Sequence, residues 1–423
     1  MPRPAFRVTG GARLKGRVRI SGSKNGADYA MAAALLTAGD VVLHNVPDIS
    51  DVLKMEEILE HLGARVEHVS RSTLRINCAD VREWKASVEL SSQLRAGFLV
   101  MGPLVARLGK AASPPPGGDV IGVRPLDVHL AGFRTLGATV ERKGELFVVT
   151  SEDGALRGGR VVLDYPSVMG TLNVMMAATL ADGPTTIINA ASEPEVADLA
   201  QMLIEMGANI SGAGTNTVRI EGVRELSGVE HRIIPDRLEA GTFALAAAIT
   251  NGEVELEEAI PEHLDALIWK MREAGVEVEP TDAGMRVRGS GQYKAIAAQA
   301  VPYPGLATDL HPQLAAFLTQ AKGVSTIHER VFDNRMLYVG ELRKMGADVI
   351  TAGQTAIISG PTPLSAAPVK ALDVRAGTAC VIAALAAEGT TVISDVFHID
   401  RAHEQLHDKL AALGASIERT QIG

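Results

Sequence analysis

One short phrase recurs six times along the chain, and it constrains the fold more than any other feature. It reads LGARVE, LGATVE, MGANIS, AGVEVE, MGADVI and LGASIE, with its glycine at Gly63, Gly137, Gly207, Gly275, Gly346 and Gly414, 68–74 residues apart. Each copy closes a helical pattern, as in VLKMEEILEHLGARVE, and opens into alternating apolar and polar residues. A glycine just past the last helical residue is the usual left-handed C-cap, and β-branched alternation after it predicts a strand. A second phrase precedes it, in which an Ala-rich helix ends near a glycine and a strand follows, as in AALLTAGDVVLHNV and AAAITNGEVELEEA. The unit is therefore helix, strand, helix, strand, strand. Self-similarity at a fixed period predicts an array of one supersecondary unit. The Ala-rich helices are apolar nearly all round and belong in a core. The second helix of each unit carries charge and faces solvent.

Six units divide three and three into two similar α/β domains. The boundary falls around His231 to Pro235, before a helix starting near Asp236. One domain takes residues 23–234 with units one to three, and the other takes residues 1–22 and 235–423 with units four to six. The N-terminal segment, about Phe6 to Ile20, is expected to supply the strand that unit six lacks. The net charge of −9 argues against nucleic acid or an anionic membrane as a main partner. No apolar run reaches the roughly 18 residues a membrane span needs, so a cytoplasmic protein is expected. Cys78 and Cys380 are far apart and form no CxxC, which points to small buried side chains rather than a disulfide or a zinc site.

Unit two departs from the pattern. Its Ala-rich helix, RAGFLVMGPLVARLG, ends at Gly109, and there the segment Ser113 to Arg124, SPPPGGDVIGVR, is inserted. Three prolines exclude helix, and Gly117 and Gly118 admit backbone angles closed to other residues. The result is a stiff arm presenting one acid, Asp119, near one guanidinium, Arg124. Two readings stand: a lid that delivers a proton to an anionic substrate, or a surface loop with a solvated acid. An insertion confined to one copy of a repeat favours the functional loop.

Lys24 and Asn25, in SGSKNGAD, lie at the start of the first Ala-rich helix. There free N–H groups favour an anion, although an ordinary turn with a solvated lysine fits too. Arg95, Arg124 and Arg401 are the arginines that would clamp phosphate and carboxylate if they converge. Asp309, in YPGLATDLHPQ, is either a general base or a helix N-cap. Asp373 and Arg375 either line the same site or pair with each other at a helix start. His398, His403 and His407 lack a third ligand at a known metal spacing, so no metal is expected. Neither GxxxxGK[ST] nor GxSxG occurs.

These residues, with LRAGFLVMGPLVARLG, PPGGDVIGVRPLDVHL, YPSVMGT, EPEVADLA, PDRLEAGTF, VFDNRM and FHIDRAHEQLHDKL, give the chain a specific resemblance. It resembles the UDP-N-acetylglucosamine 1-carboxyvinyltransferases, enolpyruvyl transferases that begin peptidoglycan precursor synthesis. The resemblance covers essentially the whole chain. It implies a two-domain inside-out α/β barrel built of six βαβαββ-type repeats, with the active site in the cleft between the domains. It implies transfer of the enolpyruvyl group of phosphoenolpyruvate to the 3-hydroxyl of UDP-N-acetylglucosamine, with no cofactor. By the same resemblance, Lys24 and Asn25 meet phosphoenolpyruvate, and Arg124 and Arg401 clamp its phosphate and carboxylate with Arg95 nearby. Arg124, Pro125, Leu126, Asp127 and Val128 line the uridine pocket, and Ser167 approaches the diphosphate. Asp309 sits at the sugar 3-hydroxyl, Val331 contacts the nucleotide sugar, and Arg335 matches a further position in the cleft. Asp119 would be the acid and Asp309 the base, in opposite protonation states.

The chain departs from the common pattern in three places. Asp119 stands where most members carry cysteine. KNGADYAM replaces the commoner KNAALP, and Tyr165-Pro166 stands where some members have a lysine. The alternatives are a 3-phosphoshikimate 1-carboxyvinyltransferase-like activity and a catalytically silent UDP-sugar-binding paralogue.

Overall fold

A helix apolar on every side has to be covered on every side, and here the other buried helices and the sheets together provide that cover. In the computed structural model, which describes residues 3–118, 121–122 and 124–422, helices Val168–Ala178, Arg237–Ile249 and Val374–Ala386 are buried along nearly their whole surface. The second helices of the repeats bury one stripe only. In Ser50–His61 that stripe is Val52, Met55, Ile58 and Leu59; in Asp265–Ala274 it is Leu267, Ile268, Met271 and Ala274. Pro194–Glu205 follows the same rule. All six glycines of the recurring phrase have positive φ, between 83° and 107°, so the helix-to-strand turn they make needs glycine.

The described residues group into two units: 22–118 with 124–234, and 3–21 with 121–122 and 235–422. Each has its own hydrophobic core and three sheets. In the first unit, one sheet runs Val229–Arg232, Asp40–His44, Thr73–Asn77, Arg65–Ser70, and another runs Arg160–Val162, Pro184–Ile188, Thr217–Glu221, Asn209–Ser211. Both share one plan: a parallel outer strand, the first strand of the repeat, then an antiparallel hairpin. The third sheet has three strands, Lys110–Ser113, Leu146–Ser151 and Ala138–Lys143, and its parallel partner shrinks to a single bridge from Lys85 to Ala112. This is the repeat that carries the proline arm.

In the second unit, Glu253–Glu257 and Gly323–Glu329 head two sheets of the same plan, with Lys15–Arg19 and Ala297–Ala300 as their parallel strands. In the third, Arg3–Thr9 lies between Thr390–Ser394 and Ser416–Ile422, the place the other repeats give to their own last strand. The stretch Phe6 to Ile20, expected as one strand, is therefore two strands in two sheets. The break comes at Gly10 and Gly11, where the chain runs against the end of helix Val374–Ala386. Gly11 N–H donates to Leu385 O at 2.9 Å, and a Cβ on Gly10 would come within 2.1 Å of Ala387 O. No helix among the described residues is long and apolar enough to cross a membrane.

RAGFLVMGPLVARLG, expected as one helix, is a 3-10 turn at Arg95–Val100 followed by helix Met101–Leu108. Before it, Ser87 caps the short helix Val88–Ser91, with Ser92 at its C-terminal end.

Candidate active site

In the first unit, Ser23 caps helix Lys24–Ala33 by accepting from Gly26 N–H at 3.1 Å, which sets Lys24 and Asn25 on its opening turn. The Lys24 ammonium lies 2.8 Å from the buried carboxylate of Asp51, at the start of the next helix. Asp51 holds the lysine in place, and nothing in the local sequence marks that pairing.

Arg95 and Arg124 lie side by side. Arg95 Nη2 donates to the backbone carbonyl of Arg124 at 2.8 Å. Burial, and then the neighbouring Arg124 charge, push the Arg95 guanidinium down to about 10. Two cations sharing a partly desolvated spot have their charge lowered in cost by an anion. The base of the proline arm fits closely over them. Gly117 N–H donates to Ser91 O at 3.3 Å, and a Cβ on Gly117 would sit 1.5 Å from Ser92 O. A Cβ on Gly118, at φ +108°, would come within 3.0 Å of Arg124 Nη2 and 3.2 Å of Arg95 Cβ. Gly117→Ala must push the arm off this seat. Turnover is expected to fall roughly a hundredfold, the scale of an ångström misplacement. The melting temperature should move by less than about 4 °C, because no core contact is lost. Steady-state rates and thermal unfolding of the variant check both parts.

Pro125, Leu126 and Asp127 lead into helix Asp127–Thr135, with Pro125 and Asp127 exposed and Val128 buried. Asp127 Oδ1 accepts from Val128 N–H at 2.9 Å and from the Tyr165 hydroxyl at 3.2 Å. Burial, and then Asp127, push the Tyr165 phenol up to about 12, so it stays a neutral donor. Ser167 accepts from Gly170 N–H at 3.1 Å and caps helix Val168–Ala178, which engages its hydroxyl oxygen as an acceptor. Behind these, His129 is wholly buried and held down at about 3 by burial and by Arg95; its Nδ1 lies 2.9 Å from Asn173 Nδ2.

In the second unit, the 3-10 turn Thr308–Leu310 carries Asp309, and no side chain caps that turn. The N-cap reading of Asp309 is thereby excluded; its carboxylate faces two guanidinium groups instead. Oδ1 accepts from Arg335 Nη2 at 2.5 Å, and Oδ2 accepts from Arg375 Nε at 3.0 Å and meets Nη2 at 2.9 Å. Arg335 and Arg375 are 2% and 5% exposed, while the Asp309 side chain is 27% exposed, so the acid is the accessible member of the trio. Asp373 does not join them. It is the N-cap of helix Val374–Ala386, accepting from the N–H groups of Arg375 at 2.7 Å and Ala376 at 3.0 Å. Asp373 and Arg375 thus meet at a helix start through the backbone, and the guanidinium is left to reach Asp309.

Val331 is 37% exposed, with its N–H donated to Glu329. Arg401 follows the short helix Phe397–Asp400 and is half-buried. Ile121 and Gly122 group with this second unit, not with 23–234 as the sequence suggests, because Asn334 N–H donates to Ile121 O at 3.1 Å. Asp119 lies outside the described residues. Among the described residues, no three of His, Cys, Asp and Glu are placed to hold a metal ion.

The family model described as EPSP synthase (3-phosphoshikimate 1-carboxyvinyltransferase) matches residues 8–410. A UDP-N-acetylglucosamine 1-carboxyvinyltransferase 1 of Caldanaerobacter subterraneus subsp. tengcongensis is 48% identical over 406 residues, 96% of this chain and 97% of that one. A UDP-N-acetylglucosamine 1-carboxyvinyltransferase of Solibacter usitatus is 46% identical over 417 residues, 98% of this chain and 99% of that one. Among solved structures, the enolpyruvyl transferase NikO from Streptomyces tendae superposes with a TM-score of 0.88 at 23% identity, covering all of both chains. EPSP synthase from Acinetobacter baumannii gives 0.78 at 19% identity, again over all of both chains. The solved structures share the two-unit, six-repeat fold, and the sequence relatives narrow it further: the chain belongs to the UDP-N-acetylglucosamine 1-carboxyvinyltransferase family of enolpyruvyl transferases.

Proposed function

We propose that the protein transfers the enolpyruvyl group of phosphoenolpyruvate to the 3-hydroxyl of UDP-N-acetylglucosamine and releases phosphate. This is the first committed step of peptidoglycan precursor synthesis, and we assign it to the cytoplasm. The observation that carries the reading is 46–48% identity, over nearly the full length, to relatives bearing that name.

The chemistry suits the residue types. C3 of phosphoenolpyruvate takes a proton from Asp119 while the sugar oxygen attacks C2, and Asp309 accepts the hydroxyl proton. The tetrahedral adduct then loses a proton from C3 and expels phosphate. Lys24, Asn25, Arg124 and Arg401 bind the phosphate and carboxylate, and Arg95 adds to that field. Arg124 to Val128 and the turn at Ser167 receive the nucleotide, with the start of helix Val168–Ala178 facing the diphosphate. Arg335 and Arg375 hold Asp309, and Asp373 acts only by positioning Arg375.

Phosphate release from phosphoenolpyruvate, measured with UDP-N-acetylglucosamine or with shikimate 3-phosphate as acceptor, tests this. Release with the nucleotide sugar alone is the expected result. Release with shikimate 3-phosphate would turn the reading to the sister activity, and release with neither would leave a silent binder. A second expectation follows from aspartate at 119. The epoxide inhibitor fosfomycin alkylates a thiol at that position, and a carboxylate is a far weaker nucleophile. Intact mass after prolonged incubation is expected to show unmodified protein, and a stoichiometric adduct would contradict it.

A further inference from the structure

Glu329 ends strand Gly323–Glu329 and is wholly buried. A carboxylate in such a place is costly unless its lone pairs are used. Here they are. Oε2 accepts from Thr308 Oγ1 and from His311 Nδ1, both at 2.9 Å. Oε1 accepts from the N–H groups of Val331 at 2.8 Å and Phe332 at 3.2 Å. Burial alone pushes the Glu329 carboxyl up, but these donors, His311 first, outweigh it and hold the group below the usual range. With its proton on Nδ1, His311 accepts at Nε2 from the buried Tyr338 hydroxyl at 2.8 Å.

The direction of the chain beyond Glu329 is fixed by what each group can do. Arg335 Nε has only a proton to give and lies 3.2 Å from Thr308 Oγ1. Thr308 therefore accepts there and donates to Glu329, and the other arm of Arg335 points at Asp309 Oδ1. With His311 neutral, two arginines (335 and 375) balance two carboxylates (309 and 329).

The geometry points to Glu329 as a positioning residue for Asp309: it acts through Thr308 and Arg335, with a second branch that holds the backbone at Val331. The inference rests on Asp309 being the base at the sugar hydroxyl. Without Glu329, Thr308 is free to turn, Arg335 loses its second anchor, and the oxygen of Asp309 that must meet the hydroxyl is no longer aimed. A positioning loss of this kind lowers kcat more than it raises KM.

The test compares Thr308→Val, Thr308→Ser and Glu329→Gln with Asp309→Asn, using phosphate release and calorimetric binding of UDP-N-acetylglucosamine. Thr308→Val cuts only the branch to Asp309 and is expected to lower kcat about ten- to a hundredfold, with KM for the nucleotide sugar within about threefold. Thr308→Ser keeps the hydroxyl and should restore kcat to within about threefold of the parent. Glu329→Gln should lower kcat at least as far as Thr308→Val, and the double variant should be no worse than Glu329→Gln, because both act along one chain. If Glu329→Gln does not fold, the threonine pair decides alone. A merely structural role predicts loss of binding stoichiometry together with kcat, and no difference between serine and valine; that result overturns the inference. So does parental kcat in Thr308→Val when Asp309→Asn is inactive. Parental kcat in Asp309→Asn would instead remove the base reading, and this inference with it.

Discussion

Asp309→Asn is expected to lower kcat by about a thousandfold, within the range that a general base supplies. Asparagine keeps the shape and one carbonyl oxygen for the arginines, but its amide does not take a proton from a sugar hydroxyl. The variant also leaves Arg335 and Arg375, both nearly inaccessible, with one negative charge fewer between them. Removing one partner of a buried ion pair is strongly destabilising. Because an acceptor remains, the expected loss is about 3 kcal/mol, at the low end of that range. The two effects separate experimentally. Denaturant unfolding reports the stability change, and calorimetry at a temperature where the variant is folded should show UDP-N-acetylglucosamine bound within about tenfold of the parent, since one hydrogen bond to the hydroxyl is worth about 1 kcal/mol. A kcat within threefold of the parent would remove Asp309 from the chemistry.

Asp119→Asn is expected to be equally severe, with turnover lost by about a thousandfold or more and binding of UDP-N-acetylglucosamine intact. C3 of phosphoenolpyruvate, a CH2 carbon, must gain a third hydrogen as the sugar oxygen adds to C2, and an amide does not deliver it. The arm is built for placement. Three prolines stiffen it, and its base is seated by Gly117 and Gly118 on Ser91, Ser92 and the Arg95–Arg124 pair. The companion variant Asp119→Cys gives the opposite sign. A thiol donates a proton and is a strong nucleophile, so turnover should persist and fosfomycin should now form a one-to-one adduct visible by mass. Near-parental turnover in Asp119→Asn, or an unmodified Asp119→Cys protein, would separate this position from the reaction.

Asp309 stood between two roles on local pattern, base or helix cap, because an aspartate before a helix looks the same in either. The fold removed the cap reading: no side chain caps the turn or the helix after it, and the carboxylate contacts Arg335 and Arg375, 26 and 66 residues away. Asp373 is itself a cap. Lys24 was legible as a lysine on a helix start, but its partner Asp51 was not, since a buried carboxylate in SDVLKMEEILEH has no local mark. Glu329 is another case: nothing in HERVFDN marks it, and the carboxylate is wholly buried only because a strand end, a turn and a helix start converge on it.

The sequence by itself determined the repeat: its period, its helix-to-strand turns and the helices that had to be buried. Those are written in local spacing, because a left-handed glycine after a helix and an apolar surface all round a helix each admit few backbone solutions. It also marked the one repeat that is interrupted. Only the tertiary structure decided that the N-terminal segment splits between two sheets, that Arg95 and Arg124 share one partly desolvated spot, and that Asp309 hangs from two buried arginines with Glu329 behind them. Each of those depends on side chains far apart in the chain coming into contact, and hydrogen bonds and desolvation act over a few ångströms of space, whatever the separation in sequence.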